Sequence, residues 1–94
     1  MHILGNEKYG LYYGKIKSFD PVTRVAEVEE CRHACRWYGK KGGITSLAAF
    51  GICGPQAKDS RIAAPCKTAT LTGIVNIFEC SSEAQQAIDS FEAF

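Results

Sequence analysis

The sequence contains no apolar run near the ~20 residues that a membrane-spanning helix needs. Its first ten residues, MHILGNEKYG, have no basic stretch leading into an apolar one, so export is not expected. Linkers, internal repeats and low-complexity tracts are also missing, and residues 1–94 read as a single small domain. Histidine is scarce, with only His2 and His33. The chain has no Gly-x-Ser-x-Gly elbow and no Gly-x-x-x-x-Gly-Lys-Ser/Thr loop. These absences leave little for an enzyme to work with, and the expectation is a non-enzymatic protein without a cofactor.

Cysteine is present in an odd number: Cys31, Cys35, Cys53, Cys66 and Cys80. With no export signal, the expectation is reduced thiols packed as small hydrophobes in a cytoplasm, not a disulfide framework. Lys and Arg stop at Lys67. Residues 1–31 carry four cations and five acids, net −1. Residues 32–67 carry seven cations (Arg32, Arg36, Lys40, Lys41, Lys58, Arg61, Lys67) and Asp59 alone, net +6. Residues 68–94 carry four acids, net −4. A basic middle between acidic ends suggests a local anion site, or else charge balance between faces or subunits.

The coarse pattern is α+β: a small antiparallel sheet of three to five strands with two short helices, one of them C-terminal. YGLYYGKIKSF and RVAEVEEC form a hairpin around the turn DPVT. Gly10 and Gly14 mark a bulge or a close approach within the first strand. HACRWY continues extended, and GKKGG is a loop. TSLAAFGIC is a short helix capped by Thr45 and ended by Gly51. RIAAP is a short extended piece, and ATLTGIVNIFEC is a strand buried on both sides. SSEAQQAIDSFEAF is a helix with a Ser82–Gln85 capping box and an Ala84, Ala87, Ile88, Phe91 stripe.

The segment CRHAC offers zinc-type ligands, but a strand spreads Cys31 and Cys35 over ~13 Å, too far for one ion with ~2.3 Å bonds to sulfur. No metal site is therefore expected. A Cys–His dyad meets a similar obstacle, since each thiol starts ~6.6 Å along the strand from His33. The alternation sends Cys31, His33, Cys35 and Trp37 inward and Arg32, Ala34, Arg36 and Tyr38 to the other face. Two arginines flanking a small alanine can fork toward phosphate. Tyr38, or Trp37 in a shifted register, can stack on a base. Lys40 and Lys41 add charge within a glycine-rich nest, and Thr45 and Ser46 lie where a helix N-terminus favours anions. Arg61 completes the candidate ligand set of Arg32, Arg36, Trp37, Tyr38, Lys40, Thr45, Ser46 and Arg61. The plain alternative is a solvated basic strand with Trp37 in the core.

The order GKIKS, VEECRHACRWY, GGITSLAAFG and CKTATLTGIVNIFECSSEAQQAI, over roughly residues 10–88, resembles small phage and prophage sponge proteins of the anti-Thoeris and anti-CBASS type. The resemblance implies a homo-oligomer in the host cytoplasm that sequesters a cyclic ADP-ribose isomer or cyclic oligonucleotide. Positions Arg32, Arg36, Trp37, Tyr38, Thr45 and Ser46 carry the implied contacts. The absence of cations after Lys67 departs from a site built with C-terminal basic residues. The rival readings are a small nucleic-acid-binding protein and an inhibitor that contacts a host protein directly.

Overall fold

The computed structural model describes residues 1–40 and 43–94. Six strands form one antiparallel sheet: β1 (His2–Asn6), β2 (Gly10–Asp20), β3 (Val25–Arg36), β4 (Arg61–Ile62), β5 (Cys66–Leu71) and β6 (Ile74–Glu79). Two helices, α1 (Ile44–Phe50) and α2 (Ser82–Asp89), complete the α+β domain. A single 3-10 turn, Ala57–Asp59, precedes β4.

The expected hairpin is β2–β3, paired from Asp20↔Val25 to Leu11↔Ala34. Its turn closes as Asp20 Oδ1 accepts from the backbone N–H groups of Val22 and Thr23. Gly14 sits opposite the extra residue of a β-bulge, where Glu30 adopts φ 50. A Cβ on Gly14 would lie 2.5 Å from Val28 Cγ1 and 3.0 Å from the Glu29 carbonyl oxygen, so only glycine lets β3 bend there.

Strand β1 is absent from the sequence reading. It is short, and its partners β2 and β6 are distant from one another in sequence. The stretch read as one strand buried on both sides is two edge strands, β5 against β3 and β6 against β1. They are broken at Thr72–Gly73, where Gly73 takes φ 62. Val75 is accordingly half exposed, and the strand count is six, not three to five.

That two-residue link joins opposite edges of the sheet, so the sheet has to curl upon itself. The Glu7 amide donates to the Gly73 carbonyl and the Ile74 amide to the Arg24 carbonyl, closing the curl. Each face then acquires its own core. Leu4, Ala26, Val28, Cys31 and Ile74 fill the curl. Ile3, Tyr13, Ala34, Leu47, Ala48, Ile52, Ile62 and Ile88 pack between sheet and helices. Adjacent Ile3 and Leu4 thus enter different cores, as strand alternation requires.

The helix ends differ from expectation. Gly43, at φ 83, occupies the N-cap of α1, and Thr45 lies inside the first turn without capping it. Gly51 ends α1 at φ 77, as its sequence position predicts. The cap of α2 is Ser81, not Ser82: its Oγ accepts from the Ala84 amide at 3.0 Å. With Ala84 at the third helical position there is no reciprocal capping box. Ser81 also donates through its amide to Ala48 O and through its hydroxyl to Ala49 O, fastening α2 to α1.

Candidate functional site

The β3 strand carries both Arg32 and Arg36, but the fold gives them opposite environments. Arg32 is 5% exposed. It lies on the helix-covered face, where its Nε donates to Ala63 O at 2.7 Å and its Nη1 to Ile88 O at 2.8 Å. Desolvation by burial lowers its pKa, and Asp89 and Tyr13 oppose that shift. The α2 helix has no basic residue in its last turn, and Arg32 supplies positive charge to its C-terminal carbonyls from across the fold. Arg32 is therefore a structural tie and not a solvent-facing phosphate fork. Strand alternation alone predicts one buried face; the second core gives both faces of β3 an inward side.

The arginine and its neighbours also line a cleft of about 480 Å³ with Tyr13, Asp89 and Phe91. The Tyr13 hydroxyl donates to Asp89 Oδ1 at 2.7 Å, and burial, reinforced by that bond, raises the Tyr13 pKa. The polar groups here satisfy one another and the end of α2.

Arg36 is exposed at the end of β3, and its Cα partner is the exposed Arg61 of β4. Like charges directly opposite one another are destabilising unless something neutralises them. Among the described residues the sole ion pair is Lys17–Glu29 at 3.7 Å, with Glu29 seven positions from Arg36 along β3. Arg61 Nη1 donates to Ser60 O at 3.0 Å and, weakly, to Lys58 O at 3.4 Å. Arg36 has no hydrogen bond from its side chain among the described residues. Buried Ser60 accepts the Tyr38 amide at 3.1 Å, which holds the Tyr38 backbone beside Arg61. The 3-10 turn places exposed Lys58 next to the same edge. Ser60 and Lys58 were missed because neither belongs to a motif; only the pairing of β4 with β3 brings them here.

The remaining candidates divide. Trp37 is half-buried against the helix-side core, on the opposite side from the inward alternation expected of it with Cys31. Lys40 is exposed, with Nζ 5.0 Å from the centre of the Phe50 ring. Thr45 is exposed beside Ala48, Phe78 and Ser81. The Ser46 hydroxyl is buried without a hydrogen-bond partner among the described residues, so it faces inside. A seven-residue α1 capped by glycine does not make Thr45 and Ser46 an anion site. Lys41 and Gly42, the rest of the expected nest, lie outside the described residues.

On the opposite side of β3, Cys31 is buried in the curl while Cys35 is exposed, contrary to the shared inward face expected of them. The structure also brings together a pair that strand spacing held apart: Cys35 Sγ lies 3.4 Å from His33 Nδ1. The His33 ring stacks on Tyr12 with centroids 4.7 Å apart. Among the described residues no group of three His, Cys, Asp or Glu side chains is arranged to hold a metal ion.

Residues 3–88 match a family described as a domain of unknown function, DUF6948. The chain belongs to that family. The match spans the sheet from β1 and nearly all of α2, so the basic edge and the Cys35–His33 pair are both within it. No curated protein and no solved structure matches the chain. No helix of the described residues is long and apolar enough to cross a membrane.

Proposed function

We propose that this DUF6948 protein binds a phosphate-bearing, nucleotide-type ligand at the Arg36–Arg61 edge and releases it chemically unchanged. The observation that carries the reading is the pair of exposed arginines held opposite each other on β3 and β4, neither in an ion pair among the described residues. Planar guanidinium groups suit phosphate oxygens, and Lys58 adds charge without fixing geometry. Tyr38, its backbone amide held by Ser60, offers an aromatic side chain two positions from Arg36. A cyclic ADP-ribose isomer or cyclic oligonucleotide combines these chemistries, and retention of an intact immune signal is the role that the resemblance to sponge proteins implies. Within this reading the protein is a homo-oligomer, which would cover exposed Val22, Val75 and Phe94.

Calorimetry against a panel of cyclic nucleotides and cyclic ADP-ribose isomers tests the proposal. One member should bind and be recovered intact after heating, from a particle of at least two chains by light scattering. Arg36→Ala and Arg61→Ala should each weaken binding about tenfold or more, the loss of a charge-assisted bond of ~1.5–3 kcal/mol. Affinity should depend only shallowly on salt. A steep dependence with polynucleotides as the preferred ligand would replace this reading with nucleic-acid binding.

A further inference from the structure

The contacts of His33 define its protonation pattern. A carbonyl oxygen only accepts, so the 2.8 Å contact between His33 Nε2 and Tyr9 O requires the ring proton on Nε2. In the neutral ring, Nδ1 is then a bare acceptor, and it is this atom that faces Cys35 Sγ at 3.4 Å. Stacking against Tyr12, with an interplanar angle of 22°, holds the ring in that orientation. Nucleophile, base and a group orienting the base are thus in contact, the arrangement that activates a thiol. The thiol is on the surface.

Three of the other cysteines each lack one part. Cys31 and Cys80 have burial pushing their thiols up to about 11, which suppresses the reactive thiolate. Cys66 is exposed, but its S–H faces the Thr68 carbonyl at 3.5 Å, which cannot take the proton, whereas Cys35, 3.8 Å from the His33 carbonyl, has the His33 ring nitrogen nearer at 3.4 Å.

We infer that Cys35 is a site of covalent modification by soft carbon electrophiles of the α,β-unsaturated carbonyl class, with His33 as its base. The Cys35 sulfur forms a bond to the β-carbon as its proton passes to His33 Nδ1. The electron pair of the carbon–carbon double bond shifts to the α-carbon and carbonyl. That enolate then takes the proton back from the imidazolium, leaving a saturated thioether and a neutral ring. No oxidant or leaving group is involved.

The test is limited alkylation of the full chain with N-ethylmaleimide, a reagent of this class, read by peptide mass spectrometry. Cys35 should react at least tenfold faster than Cys66, the other exposed thiol. His33→Phe keeps an aromatic ring against Tyr12 and removes the base, and it should lower the Cys35 rate to that of Cys66 without changing Cys66. A Cys35 rate equal to that of Cys66 in the unaltered chain overturns the inference. So does an unchanged Cys35 rate in a His33→Phe protein whose Cys31 and Cys80 remain protected. Where His33→Phe fails to fold, the ratio within the unaltered chain decides.

Discussion

Two arginines four residues apart on one strand have opposite jobs, and their substitutions separate them. Arg32→Ala removes two short bonds from a cation to buried carbonyls and leaves Ala63 O and Ile88 O without that donor. Hydrogen bonds to a charged group contribute ~1.5–3 kcal/mol each, and Ile88 O keeps the Phe91 amide at 3.1 Å, so stability should fall by about 3 kcal/mol. A thermal melt should show a midpoint lowered by roughly 10 °C or more. Arg36→Ala touches no such bond and relieves the like-charge pairing with Arg61, so its melting temperature should hold or rise slightly. Equal destabilisation by both would mean that Arg36 is also a structural residue. The residue types were legible in the sequence, as was the grouping of Arg32 with Ala34 on one face, but not the irregularity that separates Ala34 from Arg36. Which of the arginines reaches solvent was not, because that depends on where α2 and the 61–63 segment lie.

Among the elements, the α1–α2 contact depends on Gly51. A Cβ there would meet Ala87 Cβ at 2.8 Å and Ala84 O at 3.1 Å, on a backbone at φ 77. Gly51→Ala should therefore cost roughly 2–4 kcal/mol, combining left-handed strain with overpacking. Urea denaturation should show a lower midpoint, and adding Ala87→Gly should restore part of it by removing the clash while leaving the strain. Full restoration would place the whole cost in packing. The sequence marked Gly51 as a helix end through local chemistry alone. Its second role, admitting α2, follows from a contact over thirty residues away in the chain.

At the scale of the molecule, two cores and a curled sheet bury thiols and a phenol that must stay neutral. Burial, with the neighbouring Cys66 adding to it, pushes the Cys31 thiol from 9.0 to about 11. Burial does the same for Cys80, against the lowering influence of the N-terminal amine. Unfolded thiols lose their protons near 9.0, whereas these hold theirs until about 11. Between those values the unfolded chain binds fewer protons, so stability falls as pH rises. Tyr13, raised from 10.0 by burial and by its bond to Asp89, extends the loss above pH 10. The melting temperature should be level toward neutral pH and decline steadily from about pH 9. A Cys31→Ala, Cys80→Ala protein should start lower but decline less between pH 9 and 11. An equal slope would show that those thiols do not carry the alkaline limb.

By itself the sequence determined what local chemistry decides: the α+β class, the β2–β3 hairpin with its Asp20 turn, the close approach at Gly14, the Gly51 helix end and the apolar stripe of α2. It also determined the concentration of cations in residues 32–67. The tertiary structure alone decided the rest. Closing the sheet through Thr72–Gly73 created a second core, which gave both faces of β3 an inward side and sent Arg32 to the carbonyls of α2. Pairing of β4 with β3 set Arg61 opposite Arg36, and the Asn6–Gly10 turn carried the Tyr9 carbonyl to His33. Each of these joins residues whose separation along the chain leaves no periodic or motif-like trace, because long-range pairing is selected by burial of the whole and not by any local preference.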